Sequence, residues 1–191
     1  MTEAIRIVDP SESMRLQEIG ELTALAYLAD SLLDASSSYV PQLRDAAGRA
    51  SEAVLLAVAD GEVGEGRIVG TITLVPPGSR YAEVAKDGEY ELRMLAVSPI
   101  ERGRGLGAML TQGALDLAVE RGARKVVLST LETMTRAHRL YERLGFSRTP
   151  ELDSYVIDNP DGTTTIVGPE EALSCAQPGV KILGYSWEYK A

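Results

Sequence analysis

Hydrophobic positions change period several times along this chain, and each change marks an element. Ala4 to Val8 is an apolar run closed by Asp9-Pro10, the signature of an opening strand. Behind Ser11, read as a cap, Met14, Leu16, Ile19, Leu22, Leu25 and Ala26 predict an amphipathic helix. Asp30 to Gly48, with Ser36-Ser37-Ser38 and Pro41, reads as a loop holding a shorter helix near Pro41 to Ala50. Ala53 to Ala59 and Arg67 to Val75 are strands joined across Asp60-Gly61 and Gly64-Glu65-Gly66, a hairpin that leads through Pro76-Pro77-Gly78 to a third strand at Tyr90 to Val97.

In the middle of the chain the period returns to helical. Leu106, Met109, Leu110, Gly113, Ala114, Leu117 and Ala118 form one stripe, which Gly122 stops. Lys125 to Thr130 is a short buried strand, and Ala137, Leu140, Tyr141 and Leu144 are the inward stripe of a further helix ended by Gly145. Strand, helix, strand in this order predicts two neighbouring parallel strands with a right-handed crossover. Past Phe146 the pattern loosens to a turn at Asp158-Asn159-Pro160-Asp161-Gly162 and a last strand at Ile182 to Tyr189. Residues 159 to 180 admit a long loop, a hairpin at Thr163 to Val167, or a lid.

The junction between the strand ending at Val97 and the helix starting near Leu106 reads Arg102-Gly103-Arg104-Gly105-Leu106-Gly107. Glycines let the backbone turn its N–H groups inward, and the following helix adds the positive end of its dipole, so the expected occupant is an anion. A nucleoside triphosphate loop would need Lys and then Ser or Thr after the last glycine, where this chain has Ala108 and Met109. A dinucleotide fingerprint would follow the first strand of its unit, whereas this loop sits in mid-chain after Ser98-Pro99-Ile100-Glu101. A plain helix entry remains the alternative for the loop taken alone.

With Arg102, Gly105 and Gly107 in the places of an Arg/Gln-x-x-Gly-x-Gly/Ala loop, with Glu91 to Pro99 before it and Ala137 to Phe146 after it, the chain resembles the GNAT superfamily of N-acetyltransferases over residues 91 to 146. The resemblance implies an α+β fold: a mixed, mostly antiparallel sheet flanked by helices and splayed between its central parallel strands. It implies acetyl-CoA as acyl donor and direct transfer to a primary amine, without a covalent acyl-enzyme. By the same resemblance, backbone at Leu95, Ala96 and Val97 would pair with the pantetheine arm. The amides of Gly103, Arg104, Gly105, Leu106, Gly107 and Ala108 would cradle the pyrophosphate, with charge added by Arg102 and Arg104. Tyr141 matches the tyrosine near the cofactor sulfur and is the expected general acid. Glu91 is the expected general base, directly or through water, since the other position used in the family is Ser129 here. Tyr27, Asp30 and the Asp34 to Val40 segment fall where acceptors bind. Met134 stands where many members carry Asn, and His138 is read as an exposed helix residue.

Composition narrows the setting. The 191 residues, 45% hydrophobic, suit a single domain over 1–191. A formal net charge of −9 argues against nucleic acid or an anionic membrane as partner and favours a cationic amine. No basic-then-apolar leader and no spanning apolar window occur, so the expected location is the cytoplasm. Cys175 and His138 are single residues of their kinds, which excludes an internal disulfide and leaves no set of Cys and His ligands for a metal. A homodimer is admitted, not required. The readings kept beside the acetyltransferase are a noncatalytic acyl-CoA-binding or regulatory module and an enzyme using a longer acyl-CoA. The acceptor stays open among polyamine, amino acid, aminoglycoside-like drug, and protein N-terminus or lysine.

Overall fold

A computed structural model describes residues 4–61, 66–159, 163–175 and 179–190. Among the described residues nine strands build one sheet: β1 (Ile5–Ile7), β2 (Val54–Asp60), β3 (Arg67–Val75), β4 (Tyr90–Val97), β5 (Lys125–Leu131), β6 (Ser147–Arg148), β7 (Ser154–Asp158), β8 (Thr164–Val167) and β9 (Val180–Glu188). Their order is β1-β2-β3-β4-β5-β9-β7-β8, with β6 on β9. Every pairing is antiparallel except β4 with β5. That one parallel pair is the crossover predicted by the strand, helix, strand pattern, and the mixed sheet flanked by helices matches the expected fold class.

The helices are α1 (Ser13–Ala29), α2 (Val40–Arg44), α3 (Ala46–Ala50), α4 (Leu106–Glu120), α5 (Thr135–Arg143) and α6 (Pro169–Ala172). The core has two main bodies. One gathers Leu106, Leu110, Ala114, Leu128, Tyr141, Phe146 and Tyr185 with the strands under α4, and the other gathers Leu16, Ile19, Leu22, Ala46, Leu55 and Ile68 under α1. The three-to-four spacing along α4 is therefore what fastens the helix leaving the glycine loop to the sheet.

Three expectations change in detail. Ser11 does not cap α1: its amide and hydroxyl go to Asp9, while Glu12 takes the N-cap place and accepts from the Asp9 amide and both Arg6 guanidinium nitrogens. Met14 and Leu25 point to solvent at 84% and 55% exposure, because the buried face is set by Leu16, Ile19, Gly20 and Thr23. Gly20 belongs to that face because a Cβ there would lie 2.1 Å from the Arg44 carbonyl oxygen, so α2 crosses α1 where α1 has no side chain. The short helix predicted near Pro41 to Ala50 divides at Asp45, whose carboxylate accepts from the Gly48 amide and starts α3.

Of the three readings of residues 159 to 180, the described part supplies the hairpin: Tyr155 pairs with Val167 and Ile157 with Thr165, and α6 follows. Pro160-Asp161-Gly162 in its turn, and Gly64-Glu65 between β2 and β3, lie outside the described residues.

Candidate active site

The site begins with an irregularity in β4. On its β3 edge, Thr71 faces Ala96 but Thr73 faces Arg93, so three steps of β4 oppose two of β3. Within that bulge Met94 has φ 53°, a left-handed conformation disfavoured for a residue with a side chain. Such a conformation costs about 1–2 kcal/mol and persists only when the surroundings fix it. Here Met94 is buried against Ala24, Val40 and Leu43. On the other edge, β4 pairs with β5 only from Tyr90 to Leu92. Beyond Leu92 the two parallel strands part, and the β4 backbone at Leu95 and Val97 borders the gap instead of a neighbouring strand.

A cleft of about 1150 Å³ fills one side of that gap. Its walls are the Leu95 to Val97 edge, the Gly103 to Ala108 junction, the end of α1 and the start of α5. Gly103 and Gly105 have φ 84° and 83°, and a Cβ on either would meet nothing within 4 Å, so the backbone turn alone demands glycine. Gly105 is the N-cap of α4 and contributes no side-chain cap, so the first-turn amides of α4 have no capping side chain, and Leu106, Gly107 and Ala108 line the cleft. Gly107 packs on Leu140 and Leu95, bringing α4, α5 and β4 together. Arg102 reaches from the loop to α1, donating to the Asp30 carboxylate and the Ala26 carbonyl. Arg104 pairs with Glu101. Asp30, expected beside an acceptor, thus lines the wide cleft as the partner of Arg102.

Two cations on this cleft escaped the sequence reading. Arg136 and Arg143 sit seven positions apart on α5, flank Ala137 and Leu140, and line the same cleft as the glycine junction. The available signal was their spacing beside the apolar stripe.

A second cavity, about 470 Å³, lies between the α1–α2 segment, β4, β5 and the β7–β8 hairpin with β9. Tyr27, Leu32 and Met134 line both spaces, so the two meet there. Asp34, Ser36, Ser37, Ser38 and Tyr39 line it too, as does Ser129. Arg93 projects into it at 8% exposure, donating to Tyr39 Oη at 2.9 Å, to the Tyr81 carbonyl at 2.6 Å and to Glu83. Met134 accepts a 3.6 Å contact from the Thr130 hydroxyl, so the position that carries Asn in many family members here presents a thioether at the junction.

Glu91 is on the same face of β4 but deeper. Its side chain is fully buried and lines neither cavity; Oε2 accepts from the amides of Glu83, Val84 and Ala85 at 2.9, 3.0 and 3.1 Å. Oε1 accepts no hydrogen bond and lies 3.8 Å from Arg93 Nε. Burial pushes the carboxyl above its ordinary range, against the three amides and Arg93. Direct contact of Glu91 with an acceptor in either cavity is therefore not what the structure supplies; its visible work is to hold residues 83–85 behind Arg93.

Tyr141 is buried in the core beside Phe146 and Tyr185, with ring centroids 5.7 and 6.3 Å away, and burial drives its pKa upward. It lines neither cavity, but it contributes with Tyr39 to the upward shift of Tyr27, whose main cause is burial. Ala137 and Leu140, which precede Tyr141 on α5, line the wide cleft. His138 is half-buried rather than exposed: Nε2 is 2.9 Å from the Leu131 carbonyl and the ring tilts against Tyr185. Among the described residues no group of acids, Cys and His is arranged to hold a metal, and no helix is long and apolar enough to cross a membrane.

Comparison with known proteins agrees with this geometry. The profile of the Acetyltransferase (GNAT) family matches residues 18–146. N-alpha-acetyltransferase 30 of Schizosaccharomyces pombe is 38% identical over 78 residues, 41% of this chain and 52% of that protein. Mycothiol acetyltransferase of Streptosporangium roseum is 39% identical over 77 residues, 37% of this chain and 23% of its own length. The chain thus spans about half the length of the first and about a quarter of the second. Among solved structures, a Bacillus subtilis acetyltransferase in complex with CoA superposes with TM-score 0.61 over 99% of this chain and 100% of its own, at 13% identity.

Proposed function

The chain belongs to the GNAT acetyltransferase family, and from that premise we propose that it is an acetyl-CoA-dependent N-acetyltransferase acting in the cytoplasm on a primary amine. The observation that carries this reading is the continuity of one path: glycine junction, open edge of β4, then the place where the wide cleft meets the second cavity at Tyr27 and Met134. The fit to coenzyme A rests on open space over Gly103 and Gly105 and on the amides at the start of α4. The amides of Gly103 to Ala108 would bind pyrophosphate, and the backbone of Leu95, Ala96 and Val97 would accept the pantetheine arm as an added strand. Arg136 and Arg143 add positive charge to the same cleft.

Acetyl-CoA, when bound, would supply the acetyl group as a thioester, with coenzyme A departing as the thiolate once the acyl group has passed to the amine. The chain's part is to hold the amine in the second cavity with its nitrogen at the junction and to manage two protons. Tyr141 is assigned to protonating the thiolate: its phenol keeps its proton at every working pH, because burial raises its pKa, and it follows Ala137 and Leu140, which line the wide cleft, on α5. Glu91 enters as base only through water. Oε1, the oxygen without a hydrogen-bond donor, is the one to receive the proton, and its raised pKa suits that task.

Amine-dependent release of free thiol from acetyl-CoA, with amine-free hydrolysis subtracted, tests the reading. Thiol release with at least one primary amine is expected; calorimetric binding of acetyl-CoA with no release across a broad amine panel would favour the noncatalytic module instead. Propionyl- and succinyl-CoA in the same assay decide the donor.

A further inference from the structure

The walls of the second cavity divide by chemistry. Val156 of β7, Ile166 of β8 and Val180 and Ile182 of β9 form one wall, and Ile166 and Val180 remain 53% and 52% exposed. Large apolar side chains uncovered at the rim of a concavity gain most from an apolar occupant. The opposite wall carries Arg93, the one Lys or Arg among the described residues that line this cavity. Its guanidinium is already held by Glu83, by Tyr39 Oη and by the Tyr81 carbonyl. An incoming carboxylate would find Arg93 already neutralised by Glu83. A second ammonium fares little better, since Glu83 is engaged by Arg93 and Asp34 is exposed to solvent that screens it.

Building on the acetyltransferase reading, we propose that the acceptor is a small primary monoamine with an apolar body and no carboxylate or phosphate. Its hydrocarbon lies on the β7–β8–β9 wall, and its nitrogen is directed to the junction at Tyr27 and Met134. A volume of about 470 Å³ falls within the span usual for small-molecule sites. The Glu83–Arg93 pair then acts as a specificity device: it occupies the cation that an amino-acid acceptor would need.

The test compares kcat/KM at saturating acetyl-CoA for 2-phenylethylamine, L-phenylalanine, L-aspartate, spermidine and a peptide with an apolar first residue. Phenylethylamine and phenylalanine differ only by a carboxylate, so the first is expected to exceed the second by at least about tenfold, the cost of seating an unpaired charge. It is expected to exceed the other three as well. A second arm uses Glu83→Gln, which releases Arg93; the phenylalanine-to-phenylethylamine ratio is expected to rise about tenfold. Should phenylalanine, aspartate, spermidine or the peptide match or exceed phenylethylamine in the unmodified protein, the acceptor class is overturned while the transferase reading stands. If acetyl-CoA binds by calorimetry and none of the amines releases thiol, the transferase reading fails and this inference with it.

Discussion

At the residue scale, the site separates groups that touch the two cavities from groups that act behind them. Tyr141 stands in the core behind Ala137 and Leu140 of the cleft wall, and its proposed task is to give the proton that a thiolate takes as it forms. Tyr141→Phe keeps the ring packed on Phe146 and Tyr185 and removes the hydroxyl, so turnover is expected to fall by about 10²-fold with the thermal midpoint little changed. Steady-state kinetics beside a thermal melt check it, and full turnover in a folded variant would exclude Tyr141 from the chemistry. Arg136 and Arg143 make the opposite case, because they line the cleft yet carry no role assigned from the sequence. Replacing both with Ala is expected to weaken coenzyme A binding by about three- to tenfold, the range for partly solvated charge-assisted contacts, with a shallower salt dependence. Titration calorimetry at two salt concentrations reads both effects.

At the scale of elements, the glycine junction and α2 are held by unlike means. Gly103 and Gly105 sit at positive φ with open space around them, so Ala at both positions strains only the backbone, by about 1 kcal/mol each. The double variant is expected to fold with a lowered melting point and to lose coenzyme A affinity through the displaced amides; unaltered affinity would move the phosphate site elsewhere. The end of α2, by contrast, depends on a side chain. Arg49, 1% exposed, donates to the carbonyls of Gln42 and Leu43 at 2.8 and 3.0 Å, groups that the break at Asp45 leaves without helical partners. Arg49→Met is expected to cost about 1–3 kcal/mol in urea unfolding, since one buried and one part-buried carbonyl lose their donor. Which of these features the sequence discloses follows from what its pattern encodes. Strands and helices from Val54 to Arg143 were readable because their burial is periodic, and the glycine turn into α4 because glycine reports backbone geometry directly. The bulge at Met94 was hidden, since nothing in a methionine signals positive φ. So was the Arg93 cluster, which joins Tyr39, Tyr81 and Glu83 across 54, 12 and 10 positions. The β8 strand was one option of three because Thr163 to Val167 offers little apolar alternation.

At the scale of the whole molecule, stability is pulled in opposite directions by two buried acids on different parts of the sheet. Burial alone would raise Asp153, but Arg148 and the Gly184 amide outweigh it and hold its pKa below the ordinary 3.8. Its contribution is present above that value and is lost as pH falls through the depressed one. Glu91 has the reverse sign: burial dominates and raises it, so its contribution is complete below the unfolded value near 4.5 and is lost as pH rises through the raised folded value. The groups facing it are Arg93 on its own strand and the 83–85 amides of the preceding loop, with Glu83 on the far side of Arg93. Glu91→Gln keeps an oxygen for those amides and cannot ionise. The melting temperature of the variant is therefore expected to gain on that of the parent from pH 4.5 upward, and to fall behind it or equal it below. A difference that stays flat up to about pH 8 would mean that Arg93 compensates the buried charge in full. In that event Glu91 would be ionised at every pH above about 4.5, and the raised pKa that fits it to accept a proton through water would be withdrawn, leaving an ordinary and weaker carboxylate base.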